Sequence, residues 1–218
     1  MDHVQVPPPA DAAAFQARLN ASDAQMADLE AYRRLLTEWN GKMNLVGPSA
    51  LAAFWPRHAF DSAQLLAFAP EAKTWADLGA GAGFPGLVLA IMLKGFPGAR
   101  VHLVESMAKR CRFLAETAGR LDLPVDIHNA RAEDLGITVD IVTARACAPL
   151  WRLLGYAEPY LKRGATGLFL KGQDVVSELT EATKCWKFDA ELAASSSDPG
   201  GRVLTVKGLS RVRPVRLG

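Results

Sequence analysis

One run of the chain carries the plainest chemical signal, Asp77-Leu78-Gly79-Ala80-Gly81-Ala82-Gly83-Phe84-Pro85-Gly86. Closely spaced glycines let a chain turn sharply and let a ligand approach the backbone with no Cβ in the way. Amides at the start of a following helix then point at whatever binds. Gly81, Gly83 and Gly86 also satisfy G-x-G-x-x-G, the spacing of dinucleotide sites, so the glycines alone leave two cofactor classes open. Two acids narrow the choice. Asp77 directly precedes the loop, where a carboxylate can face an ammonium group and would repel a pyrophosphate. Glu105 follows twenty-eight residues later, one strand–helix–strand unit on, where it can accept hydrogen bonds from two ribose hydroxyls. The alternative for Glu105 is a cap on the helix that begins after Ser106.

These groups need a frame. Thr74–Leu78 reads as a short strand and Pro85–Leu93 as a helix, with Pro85 suited to its first turn. Arg100–Glu105 reads as the next strand. Met107–Leu121 reads as a helix with Met107, Cys111, Leu114, Ala118 and Leu121 on one face. Further strands fall at Val125–His128, Asp140–Ala144 and Thr166–Leu170, helices around Leu150–Leu161 and Val175–Ala182, and a terminal strand pair runs through Val203–Val206. Strands alternating with helices predict an α/β fold: a Rossmann-like, seven-stranded, mostly parallel sheet with the glycine loop at its carboxyl edge. Ahead of it, residues 1–11 read as a flexible Pro-rich leader and 12–70 as a helical cap, leaving 71–218 as the cofactor-binding domain. In the cap, Ser22 and Gln25 form a capping box, Gly41 supplies a stop, and Leu29, Tyr32, Leu36 and Trp39 make one apolar stripe. A second helical stretch, from Ser49 to about Phe68, carries Arg57, His58 and Asp61.

Half of the 218 residues are hydrophobic and 22% are charged, which suits one globular unit with an appendage and not a disordered chain. The formal net charge of +2 announces no nucleic-acid partner. The charge is unevenly placed, however. After Asp198 come Arg202, Lys207, Arg211, Arg213 and Arg216 with no acid among them, a stretch that either touches phosphates or solubilises an end. Cys111, Cys147 and Cys185 are odd in number and widely separated, which argues for a reducing compartment. With His3, His58, His102 and His128 they show no ligand spacing, so no metal is expected. The start, Met1-Asp2-His3 running into Pro7-Pro8-Pro9, lacks a signal-peptide pattern, and the longest apolar run, Leu87 to Leu93, is too short for a bilayer. A cytoplasmic protein without membrane contact is the expectation.

Taken together, the loop, Asp77 and Glu105 favour S-adenosylmethionine, and hence methyl transfer. The alternatives are an NAD-dependent oxidoreductase using the same loop and a non-catalytic nucleotide- or RNA-binding module. Arg57 and Asp61, four residues apart, share a helix face as an ion pair or as a contact to RNA or cofactor. Lys109, Arg112 and Arg120 make a basic face, interrupted by Glu116, that reads as solvated surface. Lys171 ends the fifth strand at the ligand edge and is the better RNA candidate. Phe84 either stacks on a base or plugs the core.

Further motifs follow one another in order. They are Trp39-Asn40 with Asn44-Leu45, Arg57-His58 with Asp61-Ser62, the glycine loop, and Lys109-Arg110 with Phe113-Leu114. Then come Arg131-Ala132-Glu133, Arg145-Ala146 and Leu170-Lys171-Gly172-Gln173. In these stretches the chain resembles the glucose-inhibited division protein B family of small-subunit ribosomal RNA methyltransferases, which methylate guanine N7 in 16S RNA. The resemblance implies a class I methyltransferase domain, S-adenosyl-L-methionine as cofactor, and 16S ribosomal RNA or the small ribosomal subunit as partner; the oligomeric state is left open, with a monomer favoured. It implies that Gly79 and Phe84 line the cofactor, that Ala132 and Glu133 contact its adenosine, and that Arg145 belongs to the cofactor site. Asp77 and Glu105 join that set from the chemistry above. The family usually has a serine before the arginine and an aromatic two residues after it; this chain has Ala144 and Cys147 there. Arg145 is expected to pair with a methionine carboxylate or an RNA phosphate, the alternative being an acid such as Asp140. Guanine N7 presents an in-plane lone pair and carries no proton. No side chain is therefore expected to act as general base, and no catalytic residue is singled out; positioning supplies the acceleration.

Overall fold

A computed structural model describes residues 7–47 and 51–212. Its centre is the seven-stranded α/β sheet that the sequence predicts: β1 (Thr74–Leu78), β2 (Arg100–Val104), β3 (Val125–His128), β4 (Ile141–Arg145), β5 (Thr166–Lys171), β6 (Trp186–Ala194) and β7 (Arg202–Arg211). The strands lie in the order β3-β2-β1-β4-β5-β7-β6. Neighbours from β3 to β5 pair in parallel, and β7 runs against both β5 and β6. The inner strands are short and apolar because helices cover both of their faces, the usual condition of parallel strands. Chain order reverses between β1 and β4, which opens a crevice beyond their carboxyl ends.

On one face lie α1 (Ala12–Leu19), α2 (Asp23–Asn40), α3 (Gly86–Met92) and α4 (Ala108–Arg120); on the other, α5 (Leu150–Leu161) and α6 (Val175–Thr183). The cap helices join the main core: Phe15, Leu29 and Tyr32 pack in one cluster with Leu87, Val101 and Phe113. The capping box forms, with the Gln25 amide donating to Ser22 Oγ and the Ser22 amide to Gln25 Oε1. The buried Tyr32 hydroxyl donates to the Ala82 carbonyl at 2.6 Å, so the cap grips the glycine loop from outside. The opposite face buries Leu150, Leu154 and Tyr160 against Phe169, Leu204 and Val206.

Local differences from the expectations have physical causes. Pro85 takes the N-cap of α3, not its first turn. Met107 is half exposed and serves as the N-cap of α4, while Phe113 and Thr117 share the buried face with Leu114 and Ala118. The second cap helix is not regular. It passes from a π turn, Phe54–Ala59, through an α turn, Phe60–Ala63, into a 3₁₀ turn, Gln64–Phe68. Pro56 has no N–H to give to a regular ladder, and a π turn accommodates that defect. Ser49, leader residues 1–6, Arg213 and Arg216 fall outside the described residues. Among those described, no helix is long and apolar enough to cross a membrane.

Candidate active site

Beyond β1 the chain doubles back over β2, with the Gly79 and Ala80 amides both donating to the Val104 carbonyl at 2.8 and 3.0 Å. Gly79 takes a φ of +70°, and a Cβ there would sit 2.7 Å from Cys147 Sγ. Only glycine lets this loop lie against the turn after β4. Glu105 is nearly buried. Its Oε2 accepts from the Gly81 amide at 3.0 Å and its Oε1 from the Met107 amide at 2.8 Å, with Arg110 3.6 Å away. The cap and the loop clamp are thus one arrangement, and each carboxylate oxygen keeps a lone pair for a ligand. Asp77 lies wholly beneath the loop, where Oδ2 accepts from the Gly86 amide at 2.9 Å. Its Oδ1 is buried with no partner among the described residues. Burial pushes the Asp77 carboxyl up to about 7 against the opposing pull of the Gly86 amide. Amides of Gly81 and Gly86, which a pyrophosphate would need, are therefore already held by carboxylates. That arrangement disfavours a dinucleotide.

A cavity of about 280 Å³ opens here, lined by Gly79, Glu105, Arg110, Ala132, Glu133 and Cys147 among others. Ala146 and Cys147 also belong to a second, broader cleft of about 910 Å³ whose walls include Arg57, His58, Asp61, Arg145, Lys171 and Asp198. Ala146 adopts a φ of +50°, uncommon for a residue with a side chain, at the point where the two spaces meet. The Cys147 thiol beside it is pushed up by burial and by the Asp77 and Glu105 carboxylates, so it stays protonated and unreactive.

Four of the sequence candidates, Gly79, Glu105, Ala132 and Glu133, thus line the smaller cavity. Arg145 lines the broader cleft instead. Its Nη1 donates to the Arg57 carbonyl at 3.0 Å and lies 3.5 Å from Asp61 Oδ2, and the guanidinium sits 4.8 Å from the Phe84 ring centroid. Asp140 is not its partner. That acid is at the other end of β4, where it accepts from the Lys73 and Thr74 amides. Phe84 lines neither space; it is a plug, packed on Tyr32, Phe54 and His58.

Arg57 and Asp61 both line the broader cleft, but they do not pair with each other; each takes a partner from a distant segment. Arg57 Nη1 reaches Asp198 Oδ2 at 2.7 Å, while Asp61 Oδ1 accepts from Ser197 Oγ at 2.6 Å. Gln64 completes the seam by donating to Ser195 Oγ at 3.0 Å and accepting from the Ser196 amide at 2.8 Å. Ser195, Ser197 and Asp198 carried no functional signal in the sequence. Lys171 is also engaged, 2.5 Å from Glu178 Oε2, which accepts from the Leu150 amide as well and so braces the start of α5. Arg211 forks onto Glu158 and covers Trp186, a structural use of one basic residue near the end of the chain.

The model of a family described as rRNA small subunit methyltransferase G, GidB, matches residues 25–209. A Ribosomal RNA small subunit methyltransferase G from Caulobacter vibrioides (strain NA1000 / CB15N) is 68% identical, over 93% of this chain and 94% of its own length. One from Methylorubrum populi is 48% identical, over 89% of this chain and 94% of its own. Among solved structures, the O-methyltransferase TomG from Streptomyces achromogenes, in complex with SAM, superposes with a TM-score of 0.55. That match covers 86% of this chain and 91% of the other at 17% identity, which establishes the fold. With the family model spanning most of the sequence and relatives this close over nearly their whole length, the chain belongs to the rRNA small subunit methyltransferase G family.

Proposed function

We propose that this chain transfers the methyl group of S-adenosylmethionine to N7 of a guanine in 16S ribosomal RNA, met in the cytoplasm as RNA or as the small ribosomal subunit. The meeting of the two spaces at Ala146 and Cys147 carries this reading, because it sets a nucleoside-sized cavity against a broad open cleft. The smaller cavity fits the cofactor. Glu105 retains lone pairs for ribose hydroxyls, Ala132 and Glu133 flank the adenosine, and the unpartnered Asp77 Oδ1 is left for an ammonium group. When bound, S-adenosylmethionine supplies an electrophilic methyl on a cationic sulfur.

The chain's own residues bind and orient. Arg145, engaged by Asp61 and the Arg57 carbonyl, shapes the cleft and presents little free charge towards a sulfonium. Arg57 and Arg202 on the cleft walls offer guanidinium groups to phosphates, which fix register without reading sequence. Guanine N7 brings its own lone pair, so holding the reactants in line does the work. The deciding experiment supplies radiolabelled donor and small subunits lacking the modification, then maps 7-methylguanosine by chemical cleavage. Transfer to one guanine is expected; no transfer to RNA, assembly intermediates or mature subunits would leave only a binding module. Thermal stabilisation by NAD but not by S-adenosylhomocysteine would favour the oxidoreductase.

A further inference from the structure

Among the described residues, His58 is the cleft-lining side chain whose polar atoms are shielded from solvent and lack hydrogen-bond partners. Its surroundings are otherwise well paired. Arg57 is drawn to Asp198, Arg145 to Asp61, and Gln64 to the serines of the loop between β6 and β7. An unsatisfied pair of nitrogens inside such a seam is costly and calls for a partner. The ring is held in one plane by stacking on Phe84, with centroids 4.8 Å apart and planes 25° from parallel. It also sits on the π turn, a backbone irregularity that recurs at functional sites. Burial, reinforced by the nearby Arg145 and Arg57 charges, lowers its pKa to about 4. The imidazole is thus neutral near pH 7, with one nitrogen a donor and the other an acceptor.

We propose that His58 recognises the acceptor base, its ring nitrogens hydrogen-bonding the polar edge of the guanine that enters the cleft while N7 is left free. The assignment rests on the methyl-transfer reading above. Guanine offers O6 as an acceptor and its N1 and N2 hydrogens as donors, so a neutral imidazole matches either kind. A charged ring would carry two donors, and a donor on N7 would occupy the lone pair that must attack. Base entry displaces a side chain at the mouth, and Arg57, half exposed and tied to Asp198 by an ion pair, is the least firmly held.

The full-length chain tests this. His58→Phe keeps a flat ring on Phe84 and removes both nitrogens, whereas His58→Asn restores a donor and an acceptor. His58→Phe should lower kcat/KM for the small subunit about thirtyfold, the loss of one to two hydrogen bonds, with S-adenosylhomocysteine affinity within about twofold. Its melting temperature should not fall, and His58→Asn should recover part of the turnover. Turnover by His58→Phe near that of the unsubstituted chain would overturn the assignment. So would a fall in S-adenosylhomocysteine affinity that matches the loss of turnover, since the ring would then hold the cofactor. If His58→Phe does not fold, His58→Ala with added imidazole decides: restored transfer supports the assignment and no restoration overturns it. Failure of the unsubstituted chain to methylate any subunit form would instead sink the methyl-transfer reading itself.

Discussion

On the cofactor side, the cavity is shaped by backbone groups and by acids lying within one strand–helix–strand unit. Glu105 takes the Gly81 amide, Asp77 takes the Gly86 amide, and Gly79 lies bare against Cys147. On the acceptor side the walls are held by side chains from distant segments: Arg57 with Asp198, Asp61 with Ser197 and Arg145, and Gln64 with Ser195. One half is a rigid cradle built by local turns. The other is a seam of charges and hydroxyls that exists only once the cap, the end of β4 and the loop between β6 and β7 have met. A cradle of that kind suits a cofactor of fixed shape, whereas a polar seam can yield to a large acceptor.

Substitutions should separate the two halves. The largest effect is expected from Asp61→Ala, which strands the mostly buried Arg145 guanidinium and should cost about 3 kcal/mol in denaturant unfolding, with S-adenosylhomocysteine affinity little changed. Equal losses of stability and cofactor affinity would mean that the halves are one unit. Gly79→Val should do the reverse. A β-branched side chain at positive φ, aimed at Cys147, should weaken S-adenosylhomocysteine about 100-fold in calorimetry while 16S RNA binding persists.

A smaller effect is predicted from pH. Asp77 has a folded pKa, about 7, above its ordinary value of 3.8, so its protonated form favours the fold. That contribution is complete below the ordinary value and is lost as pH rises through about 7. The ligand-free protein should therefore melt lower at pH 8 than at pH 6, and Asp77→Asn should shrink the difference. If Asp77 Oδ1 faces the ammonium, S-adenosylhomocysteine should bind about tenfold more weakly at pH 6 than at pH 8, and Asp77→Asn should abolish the trend. A flat pH profile in the unsubstituted protein would place the ammonium elsewhere. Arg57→Ala, at an exposed pair, should change stability by less than about 1 kcal/mol, and a greater loss would show the seam to be stiffer than its exposure implies.

Particular residues show where sequence reasoning reached and where it stopped. The glycine loop and Glu105 were legible because a tight turn beside a strand end imposes its chemistry locally, whereas Ala132 and Glu133 were marked only by the family resemblance. The apolar stripe of α2 was legible because helical periodicity is local. Asp77 was legible as an acid at the loop, but its place beneath the loop, with Oδ2 taken by the Gly86 amide at the start of α3, was not. Lys171 looked free for RNA until folding brought Glu178 against it. Arg145, expected to meet a methionine carboxylate or a phosphate, has Asp61 beside it; Asp140, the acid offered as the alternative, lies at the far end of β4.

The alternation of strands and helices, the cofactor loop and its acids are written in the chain, because each depends on backbone geometry over short spans. Which charges meet was settled by packing. Ion pairs such as Arg57 with Asp198, 141 residues apart, carry no mark in the chain, since any acid can answer any base until packing selects one. It likewise left both nitrogens of His58 without a protein partner, which no spacing rule could have shown.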